Sequence, residues 1–328
     1  MKFAAFGRTQ WLYDSIRMAV GRGHQVVLIG TCQASTTSTV TEDDFSRLAG
    51  ELGCPFFCDP AINRSLYVQM ARDSGADIAI SVNWLTLIGQ EMLDQFKYGV
   101  INAHAGDLPR FRGNAVTNWA IVAGESKVVL TLHQMTVDLD AGAILLQREL
   151  AITSDMYIAE VYRFLSENIP SMFGDVLDGL ASGRIVSRLQ SSDPKHSLRC
   201  FPRTPKDSEI HWTCPAEELA RLVRASAEPF TGAYSFIGTE KVIIWRAHSE
   251  QLSYPYLGVP GQAIEVRRKT GEVVVLTQNG VLVLEEIETP SGRLPAADII
   301  KSTRVRLGMD LTQEIMRLSE RITKLEKQ

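Results

Sequence analysis

Over the first hundred residues, short apolar runs alternate with amphipathic stretches. Strands are predicted at 2–6, 25–30, 77–82 and 99–102, and helices at 10–20, 42–52, 66–73 and 88–95. That βαβα order implies a parallel sheet with helices on both faces. Two further strands, 128–135 and 143–150, flank the turn Asp138-Leu139-Asp140-Ala141-Gly142, and a long helical stretch follows over 157–180. From 181 to 206 the chain turns rich in Ser, Arg, Asp and Pro without apolar period, which reads as a linker. Beyond it come 208–212, a helix over 216–225 and short strands at 232–237, 241–247, 261–267, 272–277 and 280–285, the spacing of a small β-barrel or similar all-β domain. At the end, Leu311, Leu318 and Leu325 repeat every seven residues with Ile315 and Ile322 offset by four. Two heptads make a marginal coiled coil, so this stripe predicts either packing on its own protein or a homodimer. The expected division is 1–185, a linker over 186–206, a domain over 207–305 and a terminal helix from 306 to 328.

Length agrees with two domains, since 328 residues exceed the usual ~150 of one. The 34 Lys and Arg against 38 Asp and Glu give a net charge of −4, which argues against nucleic acid as a partner. Arg8 stops the apolar N-terminal stretch before it reaches signal-peptide length. The longest apolar run, 78–88, is broken by Ser81, Asn83 and Thr86 and falls short of the ~20 residues that span a bilayer. A cytoplasmic protein without membrane contact is expected. Cys32, Cys54, Cys58, Cys200 and Cys214 lack paired CxxC spacing, so neither disulfides nor a metal site is expected.

In such sheets ligands sit at the carboxyl ends of the strands, here after Phe6, Val82 and Val100. The first of these turns, Phe6-Gly7-Arg8-Thr9-Gln10, has one glycine where a dinucleotide motif wants three, and no Gly-Lys-Ser/Thr loop appears. The third is more informative. Asn102 and His104, two apart on a strand, face the same side. Imidazole exchanges a proton near neutral pH, and a carboxamide N–H stabilises an oxygen that gains charge. Together they suit acyl transfer, with Asp140 available to orient the histidine. A lone histidine at a strand end is more often a satisfied polar residue, so the spacing needs support.

Support comes from Asn102-Ala103-His104, Leu108-Pro109, Arg112-Gly113, Gly124-Glu125, Thr131-Leu132-His133-Gln134-Met135 and Asp140-Ala141-Gly142. In order and spacing these resemble the N10-formyltetrahydrofolate-dependent formyltransferases. The likeness continues through Pro202-Arg203-Thr204-Pro205-Lys206-Asp207, Leu222-Val223-Arg224-Ala225 and Pro229-Phe230-Thr231-Gly232-Ala233. The resemblance implies an α/β fold: a Rossmann-like parallel-sheet catalytic domain followed by a small OB-like β-barrel domain. It implies Asn102, His104 and Asp140 as the catalytic trio and N10-formyltetrahydrofolate as formyl donor, with no metal. The pterin would lie against Asn83, Trp84, Leu85 and Ile88 and against Asp138, Ala141 and Gly142, and the acceptor against Arg8, Thr9, Gln10 and Arg112. The chain departs from the family pattern at Gly106, where Ser is usual, and at Asp107, Val116 and Val129.

Methionyl-tRNA formyltransferases carry a basic loop after the second strand; here residues 31–44 contain no Lys or Arg. Arg112-Gly113, Asn118-Trp119 and Gly124-Glu125 look more like the sugar-nucleotide N-formyltransferases, such as the domain acting on UDP-4-amino-4-deoxy-L-arabinose. The expected acceptor is therefore a nucleotide-linked amino sugar. The alternatives are methionyl-tRNA or another small amine, or hydrolysis of the formyl folate. His133 is read as structural packing.

Overall fold

A computed structural model describes residues 1–35 and 38–326. Thr36 and Thr37, within the loop that lacks basic residues, and Lys327 and Gln328, the end of the predicted terminal helix, lie outside the described residues. The chain divides into two compact units, 1–116 with 127–151 and 161–201, and 117–126 with 152–160 and 202–328.

The first unit is built on strands β1 (Lys2–Gly7), β2 (Gln25–Thr31), β3 (Phe56–Cys58), β4 (Ile78–Val82) and β5 (Val100–His104), then the short β6 (Arg112–Gly113), and on β7 (Lys127–Gln134), β8 (Ile144–Ala151) and the short β9 (Arg199–Cys200). Seven of them form one sheet in the order β3-β2-β1-β4-β5-β7-β8. The pairs from β3 to β5 are parallel, as expected. β7 and β8 run antiparallel, so the sheet is mixed rather than wholly parallel. The cause is local: a nine-residue turn joins β7 directly to β8, too short for the crossover that parallel strands require.

Side-chain alternation sorts the sheet into two faces. Phe3, Ala5, Ile78, Ile80, Ile101, Leu130 and Leu132 pack against α1 (Gln10–Gly21) and α2 (Glu42–Leu52), together with a long helix, residues 158–181. Ala4, Phe6, Leu28, Ala79 and Val100 occupy the other face, under α3 (Ser65–Asp73) and α4 (Gln90–Leu93). α5 (Val116–Ala123) follows β6, and the long helix is α6 (Ile158–Ala181). The segment read as a linker is ordered up to residue 201 as part of this unit. Arg188 exchanges backbone hydrogen bonds with Ile144, and β9 pairs with β6. Its order comes from backbone pairing, which leaves no apolar period to read.

In the second unit, α7 (Ala216–Ser226) precedes β10 (Ala233–Ile237), β11 (Glu240–Glu250), β12 (Ala263–Arg267), β13 (Glu272–Leu276), β14 (Val281–Thr289) and β15 (Gly292–Pro295). α8 (Ala296–Ile299) and α9 (Leu311–Glu326) end it. The strands make an antiparallel sheet in the order β10-β11-β14-β13-β12, with β15 on β14. Leu307 bridges Ile237 on one edge and Arg306 bridges Gln262 beside the other, so two adjacent residues join the sheet's edges into a barrel-like closure. The predicted strand at 208–212 is instead a single bridge, Glu209 to Tyr234, and Trp212 is buried with its indole N–H on Ser235 Oγ at 2.9 Å. Apolar alternation there reflects burial without a ladder.

Candidate active site

Parity places the polar residues of β4, β5 and β7 together. Ser81 stands beside Asn102 across β4 and β5, and Asn102 beside His133 across β5 and β7. The apolar neighbours Ile80, Ile101 and Leu132 face the α1, α2 and α6 core. Ser81, Asn102, His104 and His133 therefore share the opposite face and line one cleft of about 200 Å³ at the carboxyl edge of the sheet. Met135, Asp138 and Asp140 complete its wall from the β7–β8 turn, and Asn83, Trp84 and Ile88 from the turn after β4.

His104 is buried and fixed. Its Nε2 lies 2.6 Å from the Phe111 carbonyl, so that nitrogen carries the proton and donates it. Nδ1 is left bare, 3.6 Å from Asp140 Oδ2. The same carboxylate oxygen accepts the Gly113 N–H at 2.8 Å. Asp140 itself has φ 51°, in the left-handed region costly to a side-chain-bearing residue, as do Asn83, Phe111 and Ala115. Such backbone persists where surrounding contacts over-determine it, and it clusters at functional sites.

His133, which sequence reading assigned to packing, belongs to this cluster. Nδ1–H donates to the Gln134 carbonyl at 2.8 Å, leaving Nε2 as an acceptor for the Asn102 amide at 3.4 Å. Nε2 also lies 3.6 Å from Asp140 Oδ1. Burial, with the neighbouring His104 second, pushes the His133 pKa down to about 4. The ring is neutral at physiological pH and orients the Asn102 amide, whose other N–H remains to be given away.

A second tie holds the Asp140 turn. Gln190 donates to the carbonyls of Asp140 at 2.8 Å and Gly142 at 2.7 Å, while its Oε1 accepts from Arg112 at 2.6 and 3.2 Å. Neither Gln190 nor Ser81 was singled out in the sequence. Ser81 Oγ is fully buried without a hydrogen-bond partner.

Of the residues expected at a pterin, Asn83, Trp84, Ile88 and Asp138 line the cleft, whereas Leu85, Ala141 and Gly142 do not. Trp84 also meets Phe6 and Phe57 edge-on, with ring centroids 6.2 and 6.5 Å apart, so it serves core and cleft together. Arg8, Thr9, Gln10 and Arg112 lie outside the cleft lining. Arg8 Nε and Thr9 Oγ1 are buried without partners where β1 gives way to α1, and Gln10 is engaged with Asp14 at 2.8 Å. Among the described residues no cluster of three His, Cys, Asp or Glu is placed to hold a metal, and no helix is long and apolar enough to cross a membrane.

Gly106 explains one departure from the family pattern. A Cβ there would collide with the Phe111 carbonyl oxygen and stand 2.6 Å from His104 Nε2. A side chain at 106 is therefore incompatible with the bond that fixes the histidine. Gly106→Ser is expected to lower turnover by roughly 10- to 100-fold through displacement of His104, at a stability cost of about 1–3 kcal/mol. Steady-state rates and thermal melting check this; unchanged turnover would show that the His104–Phe111 bond is dispensable.

Comparisons with known proteins agree with this architecture. Residues 60–177 match the family model "Formyl transferase", and residues 203–304 match "Formyl transferase, C-terminal domain". Among solved structures, the chain is similar to HypX from Aquifex aeolicus in complex with tetrahydrofolic acid, at 18% identity, covering 92% of this chain and 47% of that one, with a TM-score of 0.57. The chain thus spans about half the length of the HypX structures it matches. It is also similar to an N-formyltransferase from Helicobacter canadensis in complex with folinic acid and dTDP-3-aminofucose, at 12% identity, covering 87% of this chain and 98% of that one, with a TM-score of 0.62. Methionyl-tRNA formyltransferase from Clostridium thermocellum is 18% identical, over 76% of this chain and 94% of that one, with a TM-score of 0.52. With both family models placed in order along it and together accounting for most of its length, the chain belongs to the formyltransferase family.

Proposed function

We propose that this protein moves a formyl group from N10-formyltetrahydrofolate to the amino group of a nucleotide-linked amino sugar. The observation that carries the reading is the convergence of Asn102, His104 and Asp140 on one cleft. The cleft suits a flat heteroaromatic ring with polar edges. Ser81 Oγ is an unanswered hydrogen-bonding group inside it, and Trp84 supplies an aromatic wall. Its 200 Å³ takes only the reacting end of such a donor.

In this reading Asn102 donates its amide N–H to the formyl oxygen as the amine adds and that oxygen gains charge. His104 takes the proton that the amine gives up, at Nδ1, and Asp140 balances the resulting imidazolium from 3.6 Å. His104 then returns the proton to the nitrogen that leaves the formyl carbon. A formamide and tetrahydrofolate result, with no covalent bond to the protein. The nucleotide-sugar preference is supported by the absence of Lys and Arg from residues 31–44, which leaves that loop nothing to neutralise a tRNA backbone. It is supported also by the Helicobacter canadensis relative, whose structure holds dTDP-3-aminofucose. Arg8 Nε and Thr9 Oγ1, unpartnered donors at the start of α1, are groups of the kind that meet a phosphate.

The test is release of tetrahydrofolate from N10-formyltetrahydrofolate with and without UDP-, dTDP- and GDP-linked amino sugars. Release that depends on one nucleotide sugar is expected. Acceptor-independent release with formate would replace the reading by hydrolysis, and release that needs methionyl-tRNA, or another amine, would replace the acceptor.

A further inference from the structure

We propose that α9 joins two copies of this chain as a parallel two-stranded coiled coil. The inference does not rest on the proposed reaction. Leu311, Leu318 and Leu325 take the d positions of a heptad and Ile315 and Ile322 the a positions, a spacing of four then three kept throughout the helix. Isoleucine at a with leucine at d is the arrangement that favours two parallel strands, because the β-branched side chain fits the a layer and leucine the d layer.

Among the described residues, none covers this seam. Leu311, Ile315 and Leu325 are each more than 60% exposed, and Leu318 and Ile322 about half. The cleft beside the helix is lined from α9 by Leu311, Glu314, Met316, Arg317 and Glu320, so among the seam residues only Leu311 turns toward it. α9 also begins after the last residue matched by either family model.

The flanking charges choose a second copy. In a parallel pair each g residue faces the e residue five positions on in the other helix. Arg321 at g then meets Glu326 of the second copy at e, twice by symmetry. The other such pair sets Glu314 against Ser319, and Glu314 is already neutralised by Arg317 of its own helix at 2.6 and 2.8 Å. No like charges oppose each other across the seam.

Sedimentation of the full chain over a concentration series should show conversion from 36.4 kDa to twice that mass. Ile315→Lys with Ile322→Lys, at exposed positions, should hold it at the lower mass with unchanged thermal melting of the remaining fold. Under mild oxidation, Leu325→Cys should link to itself between chains, as peptide mapping will read. A monomer throughout the series, or a dimer that survives both lysines, would overturn the proposal. A Leu325→Cys that fails to self-link but joins Ile315→Cys in a mixture would overturn the parallel arrangement.

Discussion

Replacing His104 with alanine is expected to lower formyl transfer by about 10²- to 10⁴-fold while the protein stays folded. Loss of the ring removes the imidazole whose Nδ1 faces Asp140 alone, because His133 Nε2, also 3.6 Å from Asp140, is shared with the Asn102 amide. His133 cannot substitute as a base, since burial holds it neutral until the pH approaches about 4. The structural cost is contained: one hydrogen bond to the Phe111 carbonyl is lost, about 1–3 kcal/mol if that oxygen stays dry. Single-turnover rates together with thermal melting separate the two effects. A folded variant within fivefold of the parent would remove His104 from the reaction.

Asn102→Ala should cost about 10²- to 10³-fold, the usual loss for one oxyanion donor. The effect should fall on kcat rather than KM, because in the proposed reaction the formyl oxygen becomes a strong acceptor only as the amine adds. Asn102 is held by His133 on one side and by the β4–β5–β7 ladder through its backbone, so its truncation leaves the neighbouring groups in place. An unchanged kcat with a raised KM would instead make Asn102 a binding residue.

The parts of this site that lie close in the chain were legible. Asn102 and His104 share a face because strand side chains alternate, and the acidic turn at Asp138 to Gly142 announced itself between two strand patterns. His133 was read as packing, and its place beside Asn102 was not legible because it depends on register: the antiparallel pairing of β5 with β7 sets it there. Ser81 and Gln190 carry no motif, and their importance arises from an orphaned hydroxyl and from two carbonyls fifty residues away in sequence. The longer helices and strands of the first unit followed from period, but not the short β3, β6 and β9, too brief to show one. That β8 runs antiparallel to β7 followed from the length of their connection, not from either strand.

The tie from residues 188–200 to the Asp140 turn also sets an order of assembly. Asn102, His104 and Asp140 all leave the ribosome well before Gln190, and before the β9 strand that holds β6 and so presents the Gly113 N–H to Asp140. A nascent chain interrupted near residue 185 would own every member of the trio and yet hold the Asp140 turn by neither anchor. Long-range closures of this kind are late, entropically costly steps. During synthesis, the cleft is therefore completed after the sheet has formed, when the 188–200 stretch docks along it.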